Sequence, residues 1–383
     1  MHQIEKLIIK RLLSPKHKKV IYLQLALLID GLIARGGGER TAYFFAKRYA
    51  IDIYTAYVDW NKILPEFKNF NVNQLSKTTK VPFLNQELLL RKFRALDLSG
   101  YDAVICLGPG YSTYSAINNH PSILYAFGLS PLFYKRGKDE DKFWPLGKLY
   151  LKPFVTAWKI RLKDYDKYLM TKAIDKIIGI SNFTNNNILK YYGRNAEMVG
   201  LPVETRKYYS KKSDDYYLTV DRLVPGKRVD IIIKAFTRMP NKKLIVEGIG
   251  PEMPYLKRLA GDAKNITFIG RVDSKKLLDL YSRATALISM SYQQDWSMVM
   301  VEAMAAGKPG IGPKQGAYKE IIIPSRTGVL VDATPEGVID GVNKLDIKTA
   351  ANMKSACMAT AAKYDESQFY KKWDAILESV INR

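Results

Sequence analysis

Short apolar runs alternate with longer runs of helical period along the chain. This pattern predicts a parallel β-sheet covered by helices on both faces, and two successive sets of runs predict two doubly wound α/β domains. Strands are expected at residues 20–29, 51–57, 103–107, 122–126 and 176–180 in the first half, and at 217–220, 243–246, 266–269, 286–289, 309–312 and 328–331 in the second.

The periodicity stops within residues 203–215, where Pro202, a basic pair and a polar run lie close together. We therefore expect an amino-terminal domain of residues 1–205 and a carboxy-terminal domain of residues 206–365. In open sheets of this kind, ligands bind beyond the carboxyl ends of the strands. A ligand shared by both domains would accordingly occupy a central cleft between them.

Length and composition support this division and indicate a globular protein. With 383 residues, 47% of them hydrophobic, the chain is too long for one ordinary core. Its two cysteines, Cys106 and Cys357, are too few and too far apart for a disulfide framework or a thiolate metal site, which favours a reducing compartment. The apolar run at 20–29 is shorter than the roughly 20 residues of a membrane-spanning helix. We therefore expect a cytoplasmic protein.

The chain is strongly basic, with 60 Lys and Arg against 37 Asp and Glu and a formal net charge of +23. Such a charge attracts anionic partners: nucleic acid, an anionic membrane surface or phosphorylated small molecules. Residues 1–19 and 148–172 interleave basic with aliphatic or aromatic residues, which suits the headgroup layer of a bilayer but also two ordinary amphipathic surface helices. No helix-turn-helix, zinc or aromatic RNP pattern supports nucleic-acid binding.

Arg222 and Lys227 flank a Pro225-Gly226 turn between a strand-like run and a helix-like run at 229–236. Cations at the start of a helix face the positive end of its dipole, which is unfavourable unless an anion lies there. A phosphate would reverse the misfit, because backbone N–H groups and two cations would converge on it. A solvated basic turn is the other interpretation.

Two glycine tracts follow predicted strands. Residues 36–38 are three consecutive glycines before a helix-like run, without the GxGxxG spacing of a dinucleotide site, and Gly248 and Gly250 follow the strand at 243–246. Glycine lets backbone N–H groups approach a ligand without a Cβ in the way. A flexible loop in the first case and a tight turn in the second would explain them equally.

Residues 294–309 have the pattern of a helix with both ends marked. Ser297 is a good cap, residues 298–306 are helix formers, and Gly307 with Pro309 stops the helix. Glu302 falls about one turn in and could bind sugar hydroxyls, or it could be an ordinary surface residue. Its apolar neighbours predict that the carboxylate needs a partner.

Together these tracts resemble the family-4 retaining glycosyltransferases of the GT-B fold, which has two Rossmann-like domains facing a central cleft. Residues 221–230 resemble the strand-turn-helix in which an Arg and a Lys hold the nucleotide diphosphate, and residues 247–251 resemble the GxGP turn of the family. Residues 294–302 occupy its E-x7-E helix. Residues 35–40 resemble its amino-terminal glycine loop, and the segment 366–383 resembles its last helix, which crosses back to the first domain.

The resemblance implies an enzyme that moves a hexose from GDP-mannose or a UDP-sugar to a hydroxyl of a glycan or polyprenol-linked acceptor, with retention and without a metal or cofactor. The charge pattern and the lack of nucleic-acid motifs add the expectation of attachment to the inner face of the membrane and of no nucleic-acid partner. Arg222 and Lys227 would be catalytic. The expected donor-binding residues are Gly37, Gly38, Gly248, Gly250, Arg271, Gln294, Met298, Val299 and Glu302.

Three departures from the family pattern qualify this picture. Gln294 replaces the first glutamate of E-x7-E, the family's histidine is absent from residues 125–131, and Asp221 stands where the family usually has glycine, adding a negative charge beside the phosphate-binding pair. A weak or silent homologue acting as a membrane-associated scaffold is therefore the alternative. Residues 139–141 spell a DxD motif, but no strand precedes them and no metal role is expected.

Overall fold

The computed structural model describes residues 23–49, 51–76, 82–130 and 152–381, with side chains from 86 and from 160 onward in the last two segments. These residues form two compact units. The first contains residues up to Leu201 together with the chain from Phe369, and the second runs from Pro202 to Gln368. The basic segment 1–19, residues 148–151 and the DxD spelling at 139–141 lie outside the described residues.

The first unit is built on one parallel sheet of seven strands in the order β3-β2-β1-β4-β5-β6-β7. Its helices are α1 (Gly37–Tyr49), α2 (Pro82–Arg94), α3 (Lys152–Tyr168) and α4 (Asn182–Tyr192). Its strands are β1 (Leu25–Leu32), β2 (Asp52–Val58), β3 (Val72–Gln74), β4 (Ala103–Leu107), β5 (Ser122–Ala126), β6 (Lys176–Gly179) and β7 (Glu197–Met198).

The second unit has a parallel sheet of six strands in the order β10-β9-β8-β11-β12-β13. The strands are β8 (Tyr216–Val220), β9 (Lys243–Glu247), β10 (Ile266–Gly270), β11 (Ala286–Ile288), β12 (Gly310–Pro313) and β13 (Gly328–Val331). The helices are α5 (Val229–Phe236), α6 (Met253–Ala260), α7 (Ser274–Arg283), α8 (Met298–Ala305), α9 (Tyr318–Ile321), α10 (Pro335–Lys344), α11 (Ile347–Asn352) and α12 (Lys354–Ala362). They are followed by α13 (Glu366–Ile381), which starts in the second unit and lies mostly in the first.

The central strands are buried along their whole length, which explains their sequences. All five residues of β4, β5 and β8 are buried, as expected where helices cover both faces of a parallel sheet. Such strands are continuous apolar runs without the alternation of a half-exposed strand. The predicted doubly wound α/β class is confirmed. All eleven predicted strands are present, three of them (β4, β5 and β13) at the predicted bounds and eight with shifted ends.

Helix α13 belongs mostly to the first unit although it ends the chain. The Trp373 side chain is fully buried, and its ring centroid lies 4.7 Å from that of Phe45 in α1. Arg48 and Tyr49 both bind the Asp374 carboxylate, at 2.9 and 2.8 Å. The last helix therefore completes the core of a unit whose other described strands and helices end at residue 198.

The predicted bounds of the first strand need a correction. The first strand runs from Leu25 to Leu32 rather than over 20–29, of which residues 20–22 are outside the described part. The edge strands β3 and β7 were not predicted, because they have three and two residues and few apolar side chains. Within the described residues, no helix combines the length and apolar character needed to cross a membrane.

Candidate functional site

The candidate site lies where the strand order of the second unit reverses, between β8 and β11. These strands pair directly, with Tyr217 opposite Ala286. Asp221 is the first residue after β8, and Ser289 is the first after β11. A crevice at such a switch point, beyond the carboxyl ends of the strands, is the usual ligand site of an open α/β sheet.

Lys227 ends a short 3-10 turn (Pro225–Lys227) and lies beside an anion from its own chain. Its Nζ is 2.8 Å from Oδ1 of Asp221 and donates to Oε1 of Gln294 at 3.2 Å. The Asp221 side chain is 4% exposed and that of Lys227 is 20% exposed. Burial acts to lower the pKa of Lys227, but the Asp221 carboxylate reverses this and the pKa is raised. The ammonium is therefore charged at neutral pH.

The second oxygen of the Asp221 carboxylate is also occupied. Ser289 Oγ lies 3.2 Å from Oδ2, and the same hydroxyl lies 2.6 Å from the Tyr318 hydroxyl. Ser289 and Tyr318 are both 1% exposed. The carboxylate is thus fixed from two sides, and it in turn fixes the position of the Lys227 ammonium.

Gly248 and Gly250 hold the turn after β9 against the loop that carries Lys227. A Cβ on Gly248, whose φ is +129°, would lie 1.9 Å from the Asp221 carbonyl oxygen, and a Cβ on Gly250 would lie 2.2 Å from that of Leu223. The Leu223 N–H also donates to the carbonyl of Ile249 at 3.0 Å. The close approach that requires glycine here is therefore between two segments of the chain.

Gln294 is held so that its amide oxygen faces Lys227. The side-chain Nε2 of Gln294 donates to the backbone carbonyl of Trp296 at 2.8 Å, and the backbone carbonyl of Gln294 accepts the Ala317 N–H at 2.9 Å. Gly316, with φ of +60°, lets the neighbouring loop pack against this backbone, since a Cβ there would lie 2.6 Å from the Gln294 carbonyl oxygen. The structure thus brings two predicted site residues, Lys227 and Gln294, into direct contact.

Helix α8 begins at Met298, one residue after the cap that the sequence predicted. Ser297 takes the N-cap position, but its side chain makes no capping hydrogen bond. The first N–H groups of a helix have no partner within the helix, so those of Met298 and Val299 are candidates for an anionic ligand.

Glu302 has the partner that its apolar neighbours implied. The residue is 3% exposed, and the Tyr281 hydroxyl donates to its Oε2 at 2.8 Å. Its carboxylate is therefore part of the core beneath α8 as well as a predicted ribose ligand.

Arg222 and Arg271 are exposed at the same edge of the sheet, after β8 and β10. Between them, the Glu247 carboxylate at the end of β9 is 7% exposed and accepts the Val272 N–H at 3.2 Å. Burial raises the pKa of Glu247, and Arg271 acts against that rise. Two exposed cations therefore lie at the same edge as the buried Lys227–Asp221 pair.

Gly37 and Gly38 belong to the first unit, where they open α1 beyond the carboxyl end of β1. The Gly36 N–H donates to Oε2 of Glu39 at 3.2 Å, so a carboxylate of the helix itself binds at its start. A Cβ on Gly38 would lie 3.3 Å from the Phe127 ring. All the other predicted site residues lie in the second unit.

The sequence did not point to Ser289, Tyr318 or Tyr281. Ser289 carried a usable signal, because it ends a predicted strand at the edge where ligands bind. The two tyrosines carried none, since nothing local distinguishes them from other core tyrosines. Among the described residues, no group of three His, Cys, Asp or Glu side chains gathers in a way that could hold a metal.

Residues 203–357 match the family model of the group 1 glycosyl transferases. The match contains Asp221, Lys227, Gln294 and every other predicted site residue of the second unit. It covers less than half of the chain and leaves the first unit unmatched.

Similar proteins include several named glycosyltransferases. The chain is 25% identical over 188 residues to D-inositol 3-phosphate glycosyltransferase of Mycobacteroides abscessus, covering 46% of this chain and 41% of that protein. It is 26% identical over 201 residues to a GDP-mannose-dependent alpha-(1-6)-phosphatidylinositol monomannoside mannosyltransferase of Mycobacterium tuberculosis, covering 45% and 52%. The matched region thus spans about half the length of these relatives.

Solved structures extend the likeness to the whole fold. Anabaena HepE in complex with UDP superposes with a TM-score of 0.75 at 18% identity, covering 93% of this chain and 100% of that one. Sucrose-phosphate synthase from Thermosynechococcus elongatus gives a TM-score of 0.74 at 16% identity, covering 94% and 99%. The two Rossmann-like units therefore have the fold of GT-B glycosyltransferases.

Proposed function

We propose that this chain is a retaining, metal-independent glycosyltransferase. It moves a hexose from a nucleoside-diphosphate sugar, GDP-mannose or a UDP-sugar, to a hydroxyl of a glycan or polyprenol-linked acceptor. The observation that carries the proposal is the charged, prepositioned Lys227 at the switch point of a sheet whose sequence matches the group 1 glycosyl transferases.

The chemistry requires positive potential at the leaving group. Negative charge grows on the departing diphosphate as the glycosidic bond breaks, so cations and N–H groups already in place lower the barrier most. Lys227 and Arg222 supply the cations, and the first N–H groups of α8, from Met298 and Val299, supply the dipoles. Removing one such group typically lowers the rate about a hundredfold to a thousandfold.

Retention follows if the acceptor attacks the face from which the diphosphate leaves. The acceptor hydroxyl then passes its proton to a phosphate oxygen of the leaving group, and the new glycosidic bond forms as the old one breaks. No carboxylate nucleophile takes part, which is compatible with Gln294 at its position. Gln294 orients Lys227 and binds the sugar, Glu302 binds the ribose, and Arg271 lies by the base.

The remaining parts of the proposal concern the first unit and the membrane. The start of α1 at Gly37 and Gly38 offers N–H groups to the donor, and the acceptor binds in the first unit. Exposed basic residues of α3, among them Arg161 and Lys167, attach the protein to an anionic membrane surface.

A thermal-shift panel tests donor binding. GDP, UDP and ADP, each with and without its sugar, are added to the purified chain, and we expect one base to raise the melting temperature. Lys227→Ala and Arg222→Ala should each abolish that rise, because each removes a cation from the diphosphate site.

The controls remove the same charges elsewhere in the second unit. Lys257 and Arg258 are exposed on α6, and their alanine variants should keep the full nucleotide-dependent rise. A rise that persists in Lys227→Ala and Arg222→Ala, or the lack of any rise with all three nucleotides, would contradict the proposed site.

A further inference from the structure

We propose that Asp221 is a specificity-determining residue. Its carboxylate acts as an internal counter-anion that lowers the affinity of the site for the phosphates of its ligand. This inference rests on the proposed function, since it concerns the nucleoside diphosphate that Lys227 would bind. Its basis is the placement of the Asp221 carboxylate, which lies 2.8 Å from the Lys227 ammonium and is 4% exposed.

The Asp221 carboxylate occupies the position relative to Lys227 that a phosphate oxygen would take. A phosphate oxygen bound to the same ammonium at about 3 Å can lie no further than about 6 Å from Oδ1 of Asp221. Coulomb energy falls as the inverse of distance, so repulsion by Asp221 cancels about half or more of the attraction by Lys227. The pair therefore binds a phosphate less tightly than Lys227 alone would.

Neighbouring carboxylates act in the same direction. Burial raises the pKa of Glu247, and the charges of Glu302 and Asp221 raise it further. Asp221, Glu247 and Glu302 thus add negative charge at an edge of the sheet that also carries the cations Arg222, Lys227 and Arg271. Their charge offsets part of the attraction that these cations exert on an added polyanion.

One conservative substitution separates an electrostatic from a merely structural role of Asp221. Lys227 also donates to Gln294 Oε1 at 3.2 Å, and an asparagine at position 221 could still accept from Lys227 through its amide oxygen and donate to Ser289 Oγ through its amide nitrogen. Asp221→Asn therefore removes the charge while it keeps the shape of the side chain and a hydrogen-bonding atom for each partner. Weak product binding is useful to a transferase, because the nucleoside diphosphate must leave after each turnover.

The test compares binding of a nucleoside, its monophosphate and its diphosphate by calorimetry. We expect Asp221→Asn to lower the Kd of the diphosphate about tenfold, to lower that of the monophosphate less, and to leave that of the nucleoside unchanged. The control is Asp340→Asn, which breaks an exposed Asp–Lys pair of 2.7 Å on α10 and should change none of the three constants.

Ionic strength provides a second measurement. If Asp221 offsets the charge of Lys227, the diphosphate Kd should rise more steeply between about 50 and 500 mM salt in Asp221→Asn than in the unaltered protein, because screening acts on net charge.

The outcomes separate this inference from the proposed function. Equal or weaker diphosphate binding in a folded Asp221→Asn protein, an equal gain for the uncharged nucleoside, or a salt dependence no steeper in Asp221→Asn than in the unaltered protein would overturn it. If neither the unaltered protein nor Asp221→Asn binds any of the nucleotides, both the proposed function and the inference about Asp221 are contradicted. Binding that depends on Lys227 but does not tighten in Asp221→Asn refutes the counter-anion alone.

Discussion

At the scale of single residues, the surroundings of Lys227 explain how a buried edge of the second unit keeps an ammonium. Burying a charge is costly unless it is paired and hydrogen-bonded. Asp221 supplies the charge and Gln294 a second acceptor, at 2.8 and 3.2 Å. Because the ammonium is already in position, little reorganisation is needed when a ligand arrives.

Lys308 is a contrasting case, a buried lysine for which the described part of the chain shows no ion pair with a carboxylate. The residue is 7% exposed, and its Nζ donates to the Lys211 carbonyl at 2.8 Å. Burial, and then the charge of Lys354, lowers its pKa to about 8. At about 1.4 kcal/mol per pKa unit, the shift from an ordinary 10.5 costs roughly 3 kcal/mol of stability at neutral pH.

We expect Lys308→Met to stabilise the protein at pH 7 by about 1 to 2 kcal/mol, because loss of the Lys211 hydrogen bond offsets part of the gain. Between pH 8 and 10.5 the unfolded chain binds more protons at Lys308 than the folded protein does, so the stability of the unaltered protein rises there. The advantage of Lys308→Met should therefore shrink over that range. Urea unfolding at pH 7 and at pH 10 measures it, and a difference independent of pH would contradict the account.

At the scale of elements, the site depends on two turns packed against each other, one after β8 and one after β9. Gly248→Ala would place a Cβ 1.9 Å from the Asp221 carbonyl oxygen at a φ of +129°. We expect it to reduce the free energy of unfolding by about 2 kcal/mol or more and to weaken nucleotide binding by displacing the loop that carries Lys227.

Gly226→Ala is the matched control in the same loop. A Cβ on Gly226 would meet no atom within 4 Å and its φ is not in the left-handed region, so a stability change within about 0.5 kcal/mol is expected. Chemical unfolding of the two variants gives the comparison. Similar stabilities for Gly248→Ala and the unaltered protein would show that the two turns do not depend on this close packing.

Elements with both ends marked in the sequence were predicted well. Helix α5 was predicted at its observed bounds, because a turn with proline and glycine precedes its apolar run, and α8 was predicted within one residue at each end. The contacts of the Asp221 carboxylate were not predictable. The sequence showed a negative charge beside Lys227, but Ser289 binds that charge from 68 positions further along, and Tyr318, which contacts the Ser289 hydroxyl, is 97 positions further along.

At the scale of the whole molecule, the sequence was sufficient for the fold class, since both sheets are parallel and both are doubly wound. A net charge of +23 creates a long-range field that attracts anionic partners. The sequence has no motif typical of nucleic-acid binding. We therefore expect the positive charge to act at an anionic membrane surface.

Sedimentation with vesicles tests that expectation. The full chain should sediment with phosphatidylserine-containing vesicles at physiological salt, should remain in solution with phosphatidylcholine alone, and should not shift duplex DNA in a gel. Arg161→Glu with Lys167→Glu on α3 should reduce sedimentation severalfold, because each basic residue near an anionic surface contributes about 1 kcal/mol. The matched pair Lys257→Glu with Arg258→Glu on α6 should have little effect. Equal losses in both pairs, or a DNA shift at lower concentration, would contradict the assignment.

The most direct test of the central claim is a crystal structure of the chain with the nucleoside diphosphate that stabilises it most. The account predicts diphosphate oxygens within about 3 Å of Lys227 Nζ and within hydrogen-bond distance of Arg222. It also predicts N–H groups at the start of α8 directed at the same phosphates. A diphosphate bound elsewhere, with the Lys227 ammonium in contact only with Asp221 and Gln294, would contradict it.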